Sequence, residues 1–225
     1  AVGEQACGDV GPGRMVEPDN ILNLIASSTK TGPLSGKVIT ITAGPTREQI
    51  DPVRFISNNS SGKMGYALAE AAIELGASVN LVSGPVSLNA DKSINLHKVN
   101  SASEMSESVN KFMKSSDIFI GCAAVSDFKP LDYSSIKIKK EHLVNPEIEL
   151  EMNTDILSNV ANTYKSSFVV GFAAETSDVA NNAKKKLKTK NLDMIISNDV
   201  SDKSIGFDVD ENEVNVITCL LYTSD

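Results

Sequence analysis

The chain has 225 residues, 41% of them hydrophobic and 22% charged, with a formal net charge of -8. That balance suits one sizeable soluble α/β domain and argues against non-specific attraction to nucleic acid or to an anionic membrane, so phosphates would have to be held by local clusters. Three widely spaced cysteines, Cys7, Cys122 and Cys219, fit neither a disulfide framework nor a metal site, and two histidines, His97 and His142, leave Ser-His-Asp and metal-centred chemistry short of material.

No apolar run reaches the length of a membrane span, and the N-terminus has glycines and acids where a signal peptide has basic and then apolar residues. A cytoplasmic protein is expected. Residues 1–16 are glycine-rich and aperiodic, Glu17 to Ala26 reads as one short helix, and Ser27 to Ser35 has linker composition, which places a domain boundary before Gly36. From there strands and helices alternate. Val38 to Ala43 is the first strand, and Met64 to Leu75 has a helical period with Ala67, Leu68, Ala71, Ala72 and Leu75 on one predicted face. Between them Gly44 to Gly65 reads as an irregular loop of about twenty residues, a length that marks function or disorder.

Ser78 to Ser83 is the next strand, and Leu96 to Val99 a short third one. Ser101 to Glu104 is a capping-box signature opening a helix to Met113, and Asp117 to Cys122 is an apolar run of the kind found in buried parallel strands. After irregular Ala123 to Lys140 come a strand at Ile148 to Met152, a helix at Asp155 to Tyr164, a strand at Phe168 to Phe172, a basic helix at Val179 to Lys190 and a strand at Met194 to Ser197. This order predicts an α/β fold, a three-layer Rossmann-like, mostly parallel sheet with helices on both faces. The charged irregular segments Gly44 to Gly65, Ala123 to Lys140 and Ala173 to Asp178 each follow a strand, so the topology would gather them in one crevice at the carboxyl ends.

The Gly62-Lys63 pair invites a P-loop reading, but the Walker pattern would need glycine at Ser57 and Ser or Thr at Met64. A dinucleotide fingerprint fails as well, because Gly44-Pro45 follows the first strand and no GxGxxG is near. A helix start at Ser60-Ser61-Gly62 could hold a phosphate; the plainer reading is an ordinary N-cap. Asp127, just beyond a buried strand, could bind a divalent cation or be a turn residue. Lys137 and Lys139 share a face of an extended segment and could be a solvated edge, and Lys184 to Lys190 could be a solvated helix face.

The segments AGPTREQIDPVRFISNNSSGKMG, GCAAVSDF, KIKK, VVGFAAET and KNLDMIISNDVS, in that order, resemble the bacterial phosphopantothenoylcysteine synthetase family, the C-terminal half of a bifunctional decarboxylase/synthetase of coenzyme A biosynthesis. The resemblance covers residues 36–218. ACGDVGPGRM near the N-terminus is similar to the flap that ends the partner decarboxylase domain, where a cysteine, here Cys7, serves as proton donor. Residues 1–35 are therefore expected to be a remnant of that domain plus linker, with its flavin (FMN) body and decarboxylase activity absent from this chain.

The resemblance implies a Mg2+-dependent ligase. The carboxylate of 4'-phosphopantothenate would attack the α-phosphate of CTP, giving an acyl-cytidylate and pyrophosphate, and the amine of L-cysteine would then displace CMP. It further implies nucleotide binding by Gly121, Cys122, Ala123, Asp127, Lys137, Thr154, Asp155, Ile156, Leu157, Phe172, Lys186 and Lys190, with Asp127 meeting the CTP-bound magnesium. Asn58 would handle the acyl-cytidylate, Lys137 would serve catalysis, and Ser60, Ser61 and Gly62 would hold phosphate. Cys122 then offers its backbone and no nucleophile. A homodimer is implied, with part of the irregular segments closing the neighbour's site. Arg47 and Arg54 are left between substrate and dimer contacts. Two departures stand out: Asn153-Thr154-Asp155-Ile156 where the family has Asn-Pro-Asp-Ile, and residues 219–225, which match nothing in the family and read as a non-native tail on a truncated domain. The rivals are the same ligation with ATP, a Rossmann-type NAD(P) oxidoreductase and a non-catalytic nucleotide-binding module.

Overall fold

The computed structural model describes residues 32–139, 147–175, 178–199 and 213–219, with residues 2–4, 10–12, 17, 18 and 21 near the N-terminus. Cys7, most of the Glu17 to Ala26 segment and residues 220–225 lie outside the described residues. In chain order the strands and helices are β1 (Val2–Glu4), β2 (Val10–Pro12), β3 (Val38–Ala43), β4 (Arg47–Gln49), β5 (Phe55–Ser57), α1 (Lys63–Glu74), β6 (Ser78–Ser83) and β7 (Asn95–Lys98). They continue with α2 (Ala102–Met113), β8 (Ile118–Gly121), β9 (Phe128–Pro130), β10 (Leu150–Met152), α3 (Ile156–Thr163), β11 (Phe168–Glu175), α4 (Val179–Thr189), β12 (Met194–Asp199) and β13 (Val214–Thr218).

Seven strands form the main sheet in the order β13-β12-β11-β8-β3-β6-β7. All neighbours are parallel except β12 and β13. The chain winds outward from β3 through β6 to β7, returns to β8 beside β3, and winds outward the other way. The order therefore reverses between β3 and β8, and a crevice opens beyond their carboxyl ends.

Each face of the sheet has its own core. In β3 the side chains of Ile39, Ile41 and Ala43 meet Tyr66, Ala69, Ala72 and Ile73 of α1. On the other face Phe119, Val169 and Ile195 meet Met105 and Val109 of α2, Val160 of α3 and Leu187 of α4. Both faces of the central strand are thus covered, which is why Thr40 and Thr42, pointing away from α1, are buried too. The Thr40 hydroxyl is satisfied by Ser116 Oγ at 2.7 Å. Among the described residues no helix is long and apolar enough to cross a membrane.

The structure corrects the sequence reading in four places. In α1 the buried face is Gly65, Tyr66, Ala69, Ala72 and Ile73, whereas Ala67, Ala71 and Leu75 are exposed. An alanine-rich helix offers two competing apolar phases, and the bulk of Tyr66 and Ile73 decides between them. The Gly44 to Gly65 loop contains an antiparallel hairpin, β4 with β5. Strand β10 does not join the main sheet but pairs antiparallel with β9, and Ala173 to Glu175, read as irregular, continues β11. The predicted helix start holds: Ser101 Oγ accepts from the Glu104 amide at 3.2 Å, while the Glu104 carboxylate accepts from the amide of Asn100, one residue before the N-cap, at 2.7 Å.

Candidate active site

The segments that leave β3 and β8 are stitched together at the switch point. The Ala123 amide donates to Thr42 Oγ1 at 3.2 Å, the Ala124 amide to the Gly44 carbonyl at 2.9 Å, and the Thr46 amide to the Ala124 carbonyl at 3.2 Å. The Ser126 amide donates to Thr46 Oγ1 at 3.0 Å. Strand β4 is anchored in turn, since buried Glu48 accepts from the Ala102 amide at 2.9 Å at the start of α2. Two irregular segments thereby acquire a fixed geometry without belonging to the sheet.

Helix α1 starts beside them. Its N-cap is Gly62, held at φ 79°, and no side chain caps it. A glycine is needed there, because that backbone region is strained for other residues. Gly65 permits a close approach of another kind: a Cβ on it would stand 2.5 Å from the Ala43 Cβ of β3. The first turn of α1 is thus pressed against the end of the central strand, with its amides and dipole available to an anion.

Beyond these elements lies a cleft of about 640 Å³, a size suited to a ligand as large as a nucleotide. Ser60, Ser61, Gly62 and Lys63 line it from the loop end and first residue of α1, and Cys122, Ala123 and Asp127 from the segment after β8. Phe172 and Ala174 of β11, Asn198 of β12 and Lys186 of α4 close the far side. Toward an anion the lining offers a helix N-terminus, Lys63, Lys186 and the Ser60 and Ser61 hydroxyls, beside the carboxylates Asp127 and Glu70. Among the described residues no group of three or more His, Cys, Asp or Glu could hold a resident metal ion. Two carboxylates, Asp127 and Glu70, line the cleft from different elements.

Residues 34–221 match the DNA/pantothenate metabolism flavoprotein C-terminal domain. The chain belongs to that family. It is 50% identical over 218 residues to the coenzyme A biosynthesis bifunctional protein CoaBC of Vibrio vulnificus (strain YJ016), covering 96% of this chain and 54% of that protein. It is 49% identical to the protein of the same name from Bacillus subtilis (strain 168), covering 95% of this chain and 53% of that one. The chain thus spans about half the length of these curated relatives. A crystal structure of the C-terminal domain of a CoaBC protein superposes with a TM-score of 0.68 at 43% identity, covering 84% of this chain and 89% of that one.

Within this DNA/pantothenate metabolism flavoprotein C-terminal domain, eight of the expected residues line the cleft together: Ser60, Ser61, Gly62, Cys122, Ala123, Asp127, Phe172 and Lys186. Burial pushes the Cys122 thiol up to about 12, so it is protonated at neutral pH and unfit as a nucleophile. Asn58 lies at the stitched loops, donating from Nδ2 to the Ala124 carbonyl at 3.2 Å.

The remaining expected residues do not line the cleft. Gly121 and Leu157 touch one another: a Cβ on Gly121 would stand 3.0 Å from Leu157 Cδ1. Ile156 is buried in the α2–α3–α4 core, while Thr154 is exposed. Asp155 caps α3, accepting from the Ser158 amide at 3.0 Å, and Lys190 Nζ lies 2.9 Å from its carboxylate. Burial works against that charge, but the Ser158 amide and Lys190 outweigh it and hold the carboxyl below its ordinary range. Lys137 is exposed in the segment after β9.

The two undecided arginines face the protein itself. Arg47 lies over the Phe55 ring, 4.6 Å from its centre, and Arg54 pairs with Asp51. Glu70, Asn89, Ala174 and Asn198 also line the cleft and were missed by sequence reasoning. Asn198 was within reach, because a polar residue ending a buried strand at the carboxyl edge is a signal.

Proposed function

We propose that the chain is the ligase that joins 4'-phosphopantothenate to L-cysteine with CTP. The observation that carries this reading is the polyanion cleft at the β3–β8 switch point, with Ser60, Ser61, the uncapped start of α1, Lys186 and Asp127 converging on it in a member of this family. The 4'-phosphopantothenate carboxylate attacks the α-phosphorus of CTP, the bond from that phosphorus to the bridging oxygen breaks, and pyrophosphate leaves. The cysteine amine then attacks the acyl carbon, loses a proton, and CMP leaves. Neither step demands a strong acid or base; both demand in-line placement and neutralised charge.

The chain's own groups supply these. The amides of α1 and the Ser60 and Ser61 hydroxyls receive phosphate oxygens, Lys186 offsets the triphosphate charge, and Asp127 is the carboxylate that would meet magnesium carried on the phosphates. That ion, when bound, neutralises charge on the leaving pyrophosphate. Asn58 stands at the loop junction to orient the acyl-cytidylate for attack. Lys137, outside the cleft of its own chain, neutralises phosphate charge in the first step from a segment that closes the neighbour's cleft in a cytoplasmic homodimer. The nucleotide residues Gly121 and Thr154 to Leu157 shape the sheet end and the start of α3, and Lys190 fixes that start through Asp155.

The test is pyrophosphate release from 4'-phosphopantothenate with each of the four nucleoside triphosphates, with and without cysteine. Release with CTP, and amide formation only when cysteine is present, is the expected result. A preference for ATP overturns the CTP assignment, and no release from folded protein overturns the ligase.

A further inference from the structure

The Asp51 side chain is completely buried, yet it lies in the bend between β4 and β5 and does not line the candidate cleft. Its two oxygens are saturated. Oδ1 accepts from the Val53 amide at 2.8 Å and the Arg54 amide at 2.8 Å. Oδ2 accepts from Arg54 Nε at 3.0 Å, Arg54 Nη2 at 2.5 Å and the Ile138 amide at 3.1 Å. Arg54 Nη2 also donates to the Ile138 carbonyl at 2.9 Å. Both backbone groups of Ile138 are therefore bound by this pair. A second tether lies four residues earlier, where the Ser134 amide donates to the Ile50 carbonyl at 3.0 Å.

Between these two ties, Ser134 to Ile138 has neither helix nor strand, and its exposed side chains Ile136 and Lys137 pack into no core. Within it one local hydrogen bond, from Ser134 Oγ to the Ile136 carbonyl at 2.7 Å, bends the chain but ties it to nothing outside the segment. Its attachment to the rest of the domain comes from the β4–β5 bend, itself anchored through Glu48 to α2. The Arg54 guanidinium holds the Asp51 carboxyl far below the ordinary range, helped against burial by the Val53, Ile138 and Arg54 amides, so the clamp stays charged throughout the physiological range.

We propose that Asp51, acting with Arg54, is a positioning residue for Lys137: the buried carboxylate docks the backbone of Ile138 and so fixes where the neighbouring ammonium stands. This rests on the reading of Lys137 as the group that neutralises phosphate charge in the first half-reaction. A carboxylate buried away from the cleft is otherwise an expensive way to close a bend, whereas an ion pair that grips a distant backbone in two directions specifies one geometry.

The test uses the full chain and compares Asp51→Asn, Lys137→Gln and the double variant. Cytidylate formation from 4'-phosphopantothenate and CTP and amide hydrogen exchange over residues 134–139 are both followed. In Asp51→Asn, exchange over 134–139 rises while the strands of the main sheet keep their protection. Its kcat falls roughly 10- to 100-fold, as for a catalytic group misplaced by about 1 Å. Added to Lys137→Gln, the same change lowers kcat less than twofold further, because a group already removed cannot be misplaced.

A full further loss in the double variant, or a normal rate in Asp51→Asn despite raised exchange, overturns the proposal while leaving the ligase reading intact. A normal rate in Lys137→Gln overturns the underlying reading instead. Should Asp51→Asn fail to fold, Arg54→Lys replaces it, retaining a cation beside Asp51 but losing the fork that reaches the Ile138 carbonyl. The same two outcomes then decide.

Discussion

The Ala124 carbonyl receives both the Thr46 amide and the Asn58 side-chain amide, so Asn58 is oriented by the same atom that ties the two site loops together. Asn58→Asp replaces a donor with an acceptor facing a carbonyl. It is expected to spare cytidylate formation and to block its consumption, so that acyl-cytidylate accumulates on the protein and is recovered by mass spectrometry after mixing with CTP. Equal loss of both half-reactions would sink that division of roles. Lys137→Gln is expected to lower the first half-reaction by about 10²–10³-fold, a typical loss for one preorganised charge contact, read by single-turnover pyrophosphate release. Residue types alone did not assign these positions: Asn58 and Lys137 are polar side chains in irregular segments, and the roles expected of them came only from the surrounding motifs. Asp51 could be read in the sequence only as a turn residue bonded to Val53 and Arg54, because its tie to the Ile138 amide lies more than eighty positions away.

At the level of single elements, α1 and α3 show how helix starts can serve opposite ends. The start of α1 is left uncapped beside the cleft, whereas that of α3 is closed by Asp155. Gly65→Ala would place a methyl 2.5 Å from Ala43 Cβ. It is expected to destabilise the domain by about 1–3 kcal/mol and to displace the end of α1 proposed to receive phosphate, read as a lower melting temperature together with a raised KM for CTP. Asp155→Ala is expected to cost about 1 kcal/mol, read by urea unfolding at neutral pH.

The pH dependence of the α3 cap has a definite sign. A carboxyl held below its ordinary value in the folded state adds stability above about pH 4 and loses it as the pH falls through the lower, folded value. The stability difference between the parent and Asp155→Asn should therefore be full at neutral pH and shrink as the pH falls below about 4. An unchanging difference would deny the cap its charge. The helices and parallel strands were readable because their apolar periods are strong. The hairpin β4–β5 was not, since Arg47-Glu48-Gln49 carries no apolar alternation and is held by Glu48 reaching α2 and Arg47 lying over Phe55.

For the molecule as a whole, the ribbon β9–β10 is unlike the rest of the surface. Phe128 and Met152 face each other across it, with Leu150 on the same side, and all three are exposed, Met152 at 71%. The other side carries the Lys129–Glu151 ion pair at 3.0 Å. An apolar face of this kind, continuous in sequence with the Lys137 segment, supports the proposed homodimer. Met152→Glu is expected to convert the dimer to monomer in sedimentation velocity and to reduce ligation in parallel, and a parent chain that sediments as a monomer would remove the dimer from the mechanism. Composition foresaw no such face, because Ile148 to Met152 reads as any half-apolar strand until its antiparallel partner is known.

The two cores also differ in when they can form. The α1 core draws its buried residues from a stretch ending at Ile94, while the other draws them from residues as far apart as Val82 and Ile195. A ribosome would therefore release β3, α1, β6 and β7 able to bury one side of a half-sheet before β8 is made. The loop that becomes half of the cleft would wait, with α1 already seated, for the strand against which it is stitched. The cleft is then the last thing to close in the order of synthesis, and chains stalled before Gly121 should protect α1 from proteolysis while leaving Gly44 to Ser61 open to it.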